Sequence, residues 1–199
     1  MDYLMNLNQD IQNLLHSHLL PFMADESLSH RAVGDMIEHL SSKIISNQYQ
    51  AQFTKSKSKK SVDDFSISVD KIKHLFDIKS HHINESGFSM PNLISVKRLI
   101  KLLKDEELTL NYIFIDYKRK EGKVEIAEIK IIPIWELDWN CLSIGALGYG
   151  QIQISNKNKP IITTQIGRNE WKNILKKQVI NFYCKQIVKY EKQMKIWSC

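Results

Sequence analysis

The stretch "LTLNYIFIDYK", residues 108–118, is apolar almost without interruption. A strand with one face in water alternates apolar and polar residues; a strand that lacks the alternation is buried on both faces. Such a strand belongs in the middle of a sheet, with packed layers above and below. The rest of the chain supplies those layers. Residues 3–20 carry Leu4, Leu7, Ile11, Leu14, Leu15 and Leu19 at helical spacing, ended by Pro21. Ser27 or Ser29 can cap a second helix to about residue 47, with Val33, Ile37, Leu40, Ile44 and Ile45 on its apolar face. "PNLISVKRLIKLLKDEE" predicts a third helix, with Leu93, Val96, Leu99, Ile100 and Leu103 on one side. Residues 169–197 predict a long amphipathic helix capped by Asn169 and broken at most once. Its stripe from Trp171 to Trp197 reads as core or dimer contact.

Strands fill the intervals. "DDFSISV" (63–69) and "IKHLFDIK" (72–79) read as an antiparallel hairpin across Asp70-Lys71. "VEIAEIKIIPI" (124–134) returns from the central strand through an "EGK" turn, and "GQIQIS" is a short alternating strand after a Gly-rich turn. "TKSKSKKS" (54–61) and "HHINESGFSMPN" (81–92) read as loops. The order helix, helix, hairpin, helix, strand, strand, strand, helix predicts an α/β or α+β fold with a mixed sheet.

A formal net charge of +6 suits a partner made of phosphates. Cys141, Cys184 and Cys199 are an odd set without metal-ligand spacing, which argues for a reducing compartment and against a disulfide framework. No run approaches the roughly 18 apolar residues of a membrane span. The start "MDYLMNLNQDIQNLL" has acids and amides where a signal peptide needs a basic start and an apolar stretch. These features predict a cytoplasmic protein with no membrane partner.

Two acid-x-lysine triplets stand out, "DIK" at 77–79 and "EIK" at 128–130. Strand periodicity of two puts both charged side chains of each triplet on one face. Hydrolysis of a phosphodiester needs hard oxygen ligands for Mg²⁺, a second acid from a neighbouring strand, and a cation near the attacking water. If the first hairpin turns between Asp70 and Lys71, Asp64 lies directly across from Asp77, where opposed Cβ atoms are about 4.5–5.5 Å apart. A three-residue turn centred on Gly122 brings Asp116 opposite Glu128 in the same way. Facing acids repel unless a cation joins them, so either pair hints at a metal, and hairpin geometry alone does not choose.

At these residues the sequence resembles the type II restriction endonucleases of the PD-(D/E)xK superfamily, in their EcoRV/HincII-like branch. "SHRAVGDMIEHL" resembles that family's N-terminal helix, "DDFSISVDKIKHLFDIKSHHIN" its catalytic hairpin, "MPNLISVKRL" the segment after the recognition loop, and "GQIQIS" with "GRNEWKNIL" the C-terminal strand and helix. The resemblance implies a restriction-endonuclease-like αβββαβ core: helix, hairpin with the acids, crossover helix, central strand. Only "DIK" fits that order, with the initial strand hidden in 48–56, and "EIK" becomes a structural strand with exposed charges. It implies one domain over 1–199, with N-terminal helices in 1–47, a catalytic sheet region in 61–165 and the C-terminal helix in 168–197. It implies a Mg²⁺-dependent homodimer, with no small-molecule cofactor, that cuts double-stranded DNA at a short palindrome and leaves 5′-phosphates, as part of a restriction–modification system. Asp64 and Asp77 then bind the metal, Lys79 orients or activates the water, and Glu38 is an accessory acid. The family's proline before the first acid is Asp63 here, so Asp63 competes with Asp64 as a ligand.

Plainer readings stand beside these. The acids and lysine are also what a solvent-exposed strand carries, and Glu38 can pair with Arg31 on its own helix face. His81 and His82 are adjacent on an extended chain and point oppositely, which suits phosphate or base contact better than joint metal ligation. Asn92, Gln151 and Gln153 are amides of the kind that read adenine in the major groove. The lysines of "KSKSKK" and Lys172, Lys176, Lys177, Lys185 and Lys189 suit backbone phosphates or a solvated face. "EIKIIPI" also resembles a stretch of the MutH-like nicking nucleases, so a nicking or structure-specific repair nuclease is an alternative. A non-catalytic DNA-binding protein on the same fold is another.

Overall fold

The structure, a computed structural model, describes residues 2–58, 61–83, 92–145, 150–155, 162 and 166–197. Helix α1 (Asp2–His18) is followed by a two-residue strand β1 (Phe22–Met23) and helix α2 (His30–Tyr49). Ser29 caps α2 by accepting the Ala32 N–H at 3.2 Å. Strands β2 (Phe53–Lys55), β3 (Phe65–Val69) and β4 (Ile72–His82) come next, then β5 (Asn92–Ser95) and helix α3 (Val96–Leu102). The long strands β6 (Leu108–Lys120) and β7 (Lys123–Pro133), the short β8 (Leu142–Gly145) and β9 (Gln151–Ile154), and helix α4 (Arg168–Trp197) complete the chain.

The main sheet has the order β1-β7-β6-β4-β3-β2, in which β4 and β6 run parallel and the other neighbours antiparallel. A parallel pair needs a crossover, and α3 lies in the connection that provides it. The order α2, β2, β3, β4, α3, β6 is the expected αβββαβ core, with the initial strand found at Phe53–Lys55 as an edge strand.

β6 is buried on both faces, as its apolar run predicts. Leu110, Tyr112 and Phe114 join Leu75 of β4 in one core, completed by α3, the small sheet and the start of α4. Ile113, Ile115 and Tyr117 join Phe76 and Ile78 in the other, under α1 and α2. Gly34 lets α2 come close to β4: a Cβ there would lie 2.6 Å from Ser80 Oγ.

The β3–β4 hairpin turns at Asp70 and Lys71, both with positive φ (48° and 70°), and Phe65 pairs with Phe76 as the expected register requires. The second hairpin departs from expectation at its tip. Glu121 and Gly122 have φ of 51° and 73°, and Lys120 pairs directly with Lys123, so the turn has two residues rather than three. A bulge between Asp116 and Tyr117 then shifts the register, and Asp116 still faces Glu128.

Three other expectations are corrected. The helix expected from Pro91 to Glu107 is a strand, β5, followed by the short α3. Leu93 and Ile94 are buried from that strand because Asn92–Ser95 pairs with β9 in a separate sheet, ordered β5-β9-β8. α4 is unbroken and is entered one residue early: the Trp171 N–H bonds the Gly167 carbonyl at 3.0 Å, so Asn169 lies inside the helix and does not cap it. The stripe on α4 is core only at Trp171, Leu175 and Val179; beyond them Phe182 is half-buried and Ile187, Tyr190, Met194 and Trp197 are exposed. No helix among the described residues is long and apolar enough to cross a membrane.

Ile113 tests the central strand, since it is fully buried between β4 and β7. Ile113→Ala lowers the unfolding free energy by about 2–5 kcal/mol. The midpoint of a urea titration measures it, and an unchanged midpoint contradicts the burial of β6 on that face.

Candidate active site

Asp77 sits in the middle of β4, on the face shared by Leu75 and Lys79. Asp64 immediately precedes β3, and its N–H bonds the Phe76 carbonyl at 2.8 Å, which continues the hairpin register by one residue and sets it opposite Asp77. Asp64 Oδ2 accepts the Ile78 N–H at 2.7 Å, so its carboxylate is held by the backbone of the neighbouring strand. Lys79 Nζ lies 2.7 Å from one Asp77 oxygen and 2.9 Å from the other. The three side chains that the hairpin register groups are therefore grouped in space. They open onto a cleft of about 500 Å³ that also reaches Ser95, Arg98 and Gln151.

The electrostatics of the pair are uneven. Burial pushes the Asp77 carboxyl up to about 7, against the pull of Lys79 and with the added repulsion of Asp64. Asp64 is also raised by burial, an effect that the Ile78 N–H and Lys79 reduce. The closeness of Asp64 adds to the rise at Asp77. One lysine is thus not enough countercharge for two buried acids.

This donor set fits Mg²⁺. Both side chains offer hard oxygens, and the carboxyl of Asp77 stays raised despite Lys79 beside it. Among the described residues no group of three or more His, Cys, Asp or Glu side chains gathers around a common point; Asp64 and Asp77 are a set of two carboxylates. Mg²⁺ is commonly held by one or two carboxylates, with water and substrate phosphate completing its shell.

Asp63 lies beside the cleft, but its carboxylate accepts a short hydrogen bond from the Ser61 hydroxyl. Asp64, not Asp63, occupies the position opposite Asp77. Glu38 is on α2 and lines a second hollow of about 460 Å³ on the other side of Lys79. Burial raises its carboxyl first, then Asp64 and Asp35, with Lys79 and Lys55 opposing. It therefore senses both Asp64 and Lys79, and no ion pair joins it to Arg31 among the described residues.

His81 and His82 do diverge. His81 Nδ1 lies 3.2 Å from Asp116 Oδ1. The His82 ring stacks on His30 at 4.4 Å and leans on Tyr117, and burial together with His30, His81 and Arg119 lowers its pKa. The remainder of the 81–92 loop, from residue 84 to 91, lies outside the described residues, as do Lys59 and Lys60. Asn92 and Gln153 face one another across β5 and β9, and Gln151 faces Ser95. All three amides share the polar face of the small sheet, whose other face buries Ile152 and Ile154. Gln151 lines the cleft itself. Lys172, Lys176, Lys177, Lys185 and Lys189 are not among the residues lining it.

Two residues at the site had no signal in the sequence. Arg98 reaches the cleft because the segment before it is a strand and not a helix. Tyr112 pairs with Asp77 across β4 and β6, is wholly buried, and has no hydrogen-bond partner for its hydroxyl among the described residues; burial raises its pKa well above normal.

The "EIK" triplet is different. Asp116 does face Glu128, but His81 contacts the first and Lys130 lies 2.8 Å from the second, whose side chain is substantially exposed. Each acid thus has its own side-chain partner, His81 for Asp116 and Lys130 for Glu128.

No family model matches the chain, and no curated protein matches it in sequence. Among solved structures, the fold is similar to that of the NlaIV restriction endonuclease, with a TM-score of 0.56 over 79% of this chain and 74% of that one, at 14% sequence identity. The fold is thus restriction-endonuclease-like.

Asp77 makes stability pH-dependent. Its folded value of about 7 exceeds the ordinary 3.8, so between them the folded state keeps a proton that the unfolded state releases. The stabilisation is complete at the acid end and is lost as pH rises through that interval. In EDTA, Asp77→Asn therefore gains in Tm on the wild type as pH increases from about 4 to about 7. A difference in Tm that stays flat across that range contradicts the burial of this carboxyl.

Proposed function

We propose that this protein is a Mg²⁺-dependent type II restriction endonuclease that cuts double-stranded DNA at a short palindrome and leaves 5′-phosphates. The observation that carries the reading is the facing, buried, under-compensated pair Asp64–Asp77 with Lys79 beside it, at the edge of an open cleft. A protein that only bound DNA would gain nothing from placing acids against phosphates. Asp64 and Asp77 would hold the ion. When bound, it polarises a phosphate oxygen and lowers the pKa of a water. Lys79, freed from sole duty to Asp77, orients the water and offsets charge on the phosphate. Glu38, behind Lys79, interacts with that ammonium electrostatically and helps to position it.

The amide face of β5 and β9 adjoins the same cleft, which suits base contacts by Gln151, with Asn92 and Gln153 farther along the strands. Arg98 at the cleft wall suits a backbone phosphate. Two copies related by a twofold axis present two clefts to two strands, which matches a palindromic target. The EcoRV/HincII-like branch, a companion methyltransferase and a cytoplasmic location belong to the same reading.

Purified protein incubated with unmethylated phage DNA gives discrete fragments with Mg²⁺ and none with EDTA. Asp77→Ala or Asp64→Ala reduces cleavage by about 10²–10³-fold or more, the scale on which losing one preorganised electrostatic group acts, while gel-shift binding persists. Cutting by Asp77→Ala at the wild-type rate sinks the assignment, and products nicked on one strand favour a MutH-like repair nuclease. Gln151→Ala weakens discrimination at one base pair by about 1–3 kcal/mol, read from cleavage of single-substitution sites.

A further inference from the structure

Beyond Phe182, which is half-buried beside Gly150, the last half of α4 is mostly exposed. Its buried side, Trp171, Leu175 and Val179, ends where a second pattern begins. Ile180, Tyr183, Ile187, Tyr190, Met194 and Trp197 follow alternating spacings of three and four, and all are exposed, Ile187 by 56% and Trp197 by 88%. That is an a/d seam with the 3.5-residue period by which one helix packs along another. Contiguous apolar surface of this kind marks an interaction site in a soluble domain.

We propose that this seam pairs antiparallel with the same segment of a second copy of the chain. Three observations select that occupant. The first is charge. Lys185, Lys189, Lys192 and Lys195 all fall outside the seam, and the positions flanking it are Cys184, Gln186, Glu191 and Gln193. An identical helix brings identical charges, so a lysine on the flank would meet like charge; none does.

The second is volume. Antiparallel pairing sets Ile180 against Trp197, Tyr183 against Met194, and Ile187 against Tyr190. Every layer then joins one aromatic and one aliphatic side chain, the large-against-small alternation that fills an interface evenly. Parallel pairing would stack Trp on Trp and Ile on Ile, with layers of unequal width.

The third is a receptor for the end of the partner helix. Between α3 and α4 lies an apolar hollow of about 510 Å³, walled by Ile100, Leu103, Val179 and Ile180. Ile180 belongs both to that wall and to the seam, so antiparallel pairing delivers the partner's Trp197 to the hollow. Lys104, Lys172 and Lys176 rim it, where the partially negative carbonyl end of the arriving helix is favoured.

The pairing deepens the homodimer of the proposed function but rests on the helix alone. Self-association without cleavage, or cleavage by a monomer, separates the two readings.

Sedimentation velocity at micromolar concentration is the test. The wild type sediments as a dimer. Ile187→Glu and Trp197→Ala each weaken the dimer, Ile187→Glu by at least about a hundredfold because two charges enter the seam. Both sites are exposed in the single chain, so thermal melts of the diluted proteins match the wild type. A monomeric wild type, or a dimer unaffected by both variants, overturns the proposal. Orientation is read by disulfide trapping in a background with Cys184→Ser and Cys199→Ser. Mixed Tyr183→Cys and Met194→Cys proteins cross-link to each other, and neither cross-links alone, because copies of either residue are offset by about 16 Å along the antiparallel helices. Efficient self-cross-linking of Tyr183→Cys would show a parallel pair and overturn the antiparallel arrangement.

Discussion

The parallel pairing of β4 with β6, from Lys73 against Leu108 to His82 against Tyr117, is the constraint on which the other features depend. Parallel neighbours cannot be joined by a tight turn, so the chain must leave the sheet after His82 and return before Leu108. That excursion carries β5 and α3, and with them Ser95 and Arg98, onto one face of the sheet. The other face is left for α1 and α2. Because side chains alternate along both strands, the same pairing sends Phe76 and Ile78 under α2 and Asp77 and Lys79 toward the excursion. The candidate site lies where β4 passes from buried, through Ile78, to half-buried at Lys79.

Placing two carboxyls there works against stability. Asp77 is nearly inaccessible, and its neighbour Asp64 is an acid as well. An isolated buried charge is costly, and a protein that lacks a countercharge responds by keeping the group protonated. Lys79 offsets part of the cost but is shared between two acids. The backbone offsets another part through the Ile78 N–H. What remains is strain of an electrostatic kind, held in place by the hairpin and relieved by any divalent cation that enters. Surroundings that merely stabilised the sheet would have an apolar pair at these positions, as at the adjoining pair, one residue later on β3 and one earlier on β4, where Phe65 stacks on Phe76 at 5.1 Å.

Much of this was legible in residue order, for physical reasons that differ by element. β6 was legible because no amphipathic segment has so unbroken an apolar run. The opposition of Asp64 and Asp77 followed from a two-residue turn, since hairpin register is set locally. The Asp116–Glu128 opposition was also correct, but through two compensating departures, a shorter turn and a bulge, that no one-dimensional pattern reveals. The segment 92–107 was misread because Leu93, Val96, Leu99, Ile100 and Leu103 satisfy helical spacing whether or not the first of them is helical. Pairing with β9, distant in sequence, pulls Asn92–Ser95 into a strand. Arg98 and Tyr112 were hidden for the same reason, since their roles depend on what lies across from them. The exposure of α4 was equally invisible: its two stripes are both apolar, and only the packed body shows that it covers one and not the other.

The two acid-x-lysine triplets make the general point sharply. Both lie on strands, both face a second acid, and both place the lysine 2.8 Å or less from the acid of their own strand. Spacing cannot rank them. Their surroundings can. Glu128 stands near the edge of the sheet where water screens it, and Asp116 has His81 at hand, so each charge is met separately. Asp77 is buried at the wall of the cleft and has Asp64 as its neighbour. The same three residues thus make a surface ion pair on β7 and an unbalanced acid pair on β4. The difference comes from depth in the sheet, because only a poorly solvated site gains enough from a cation to hold one.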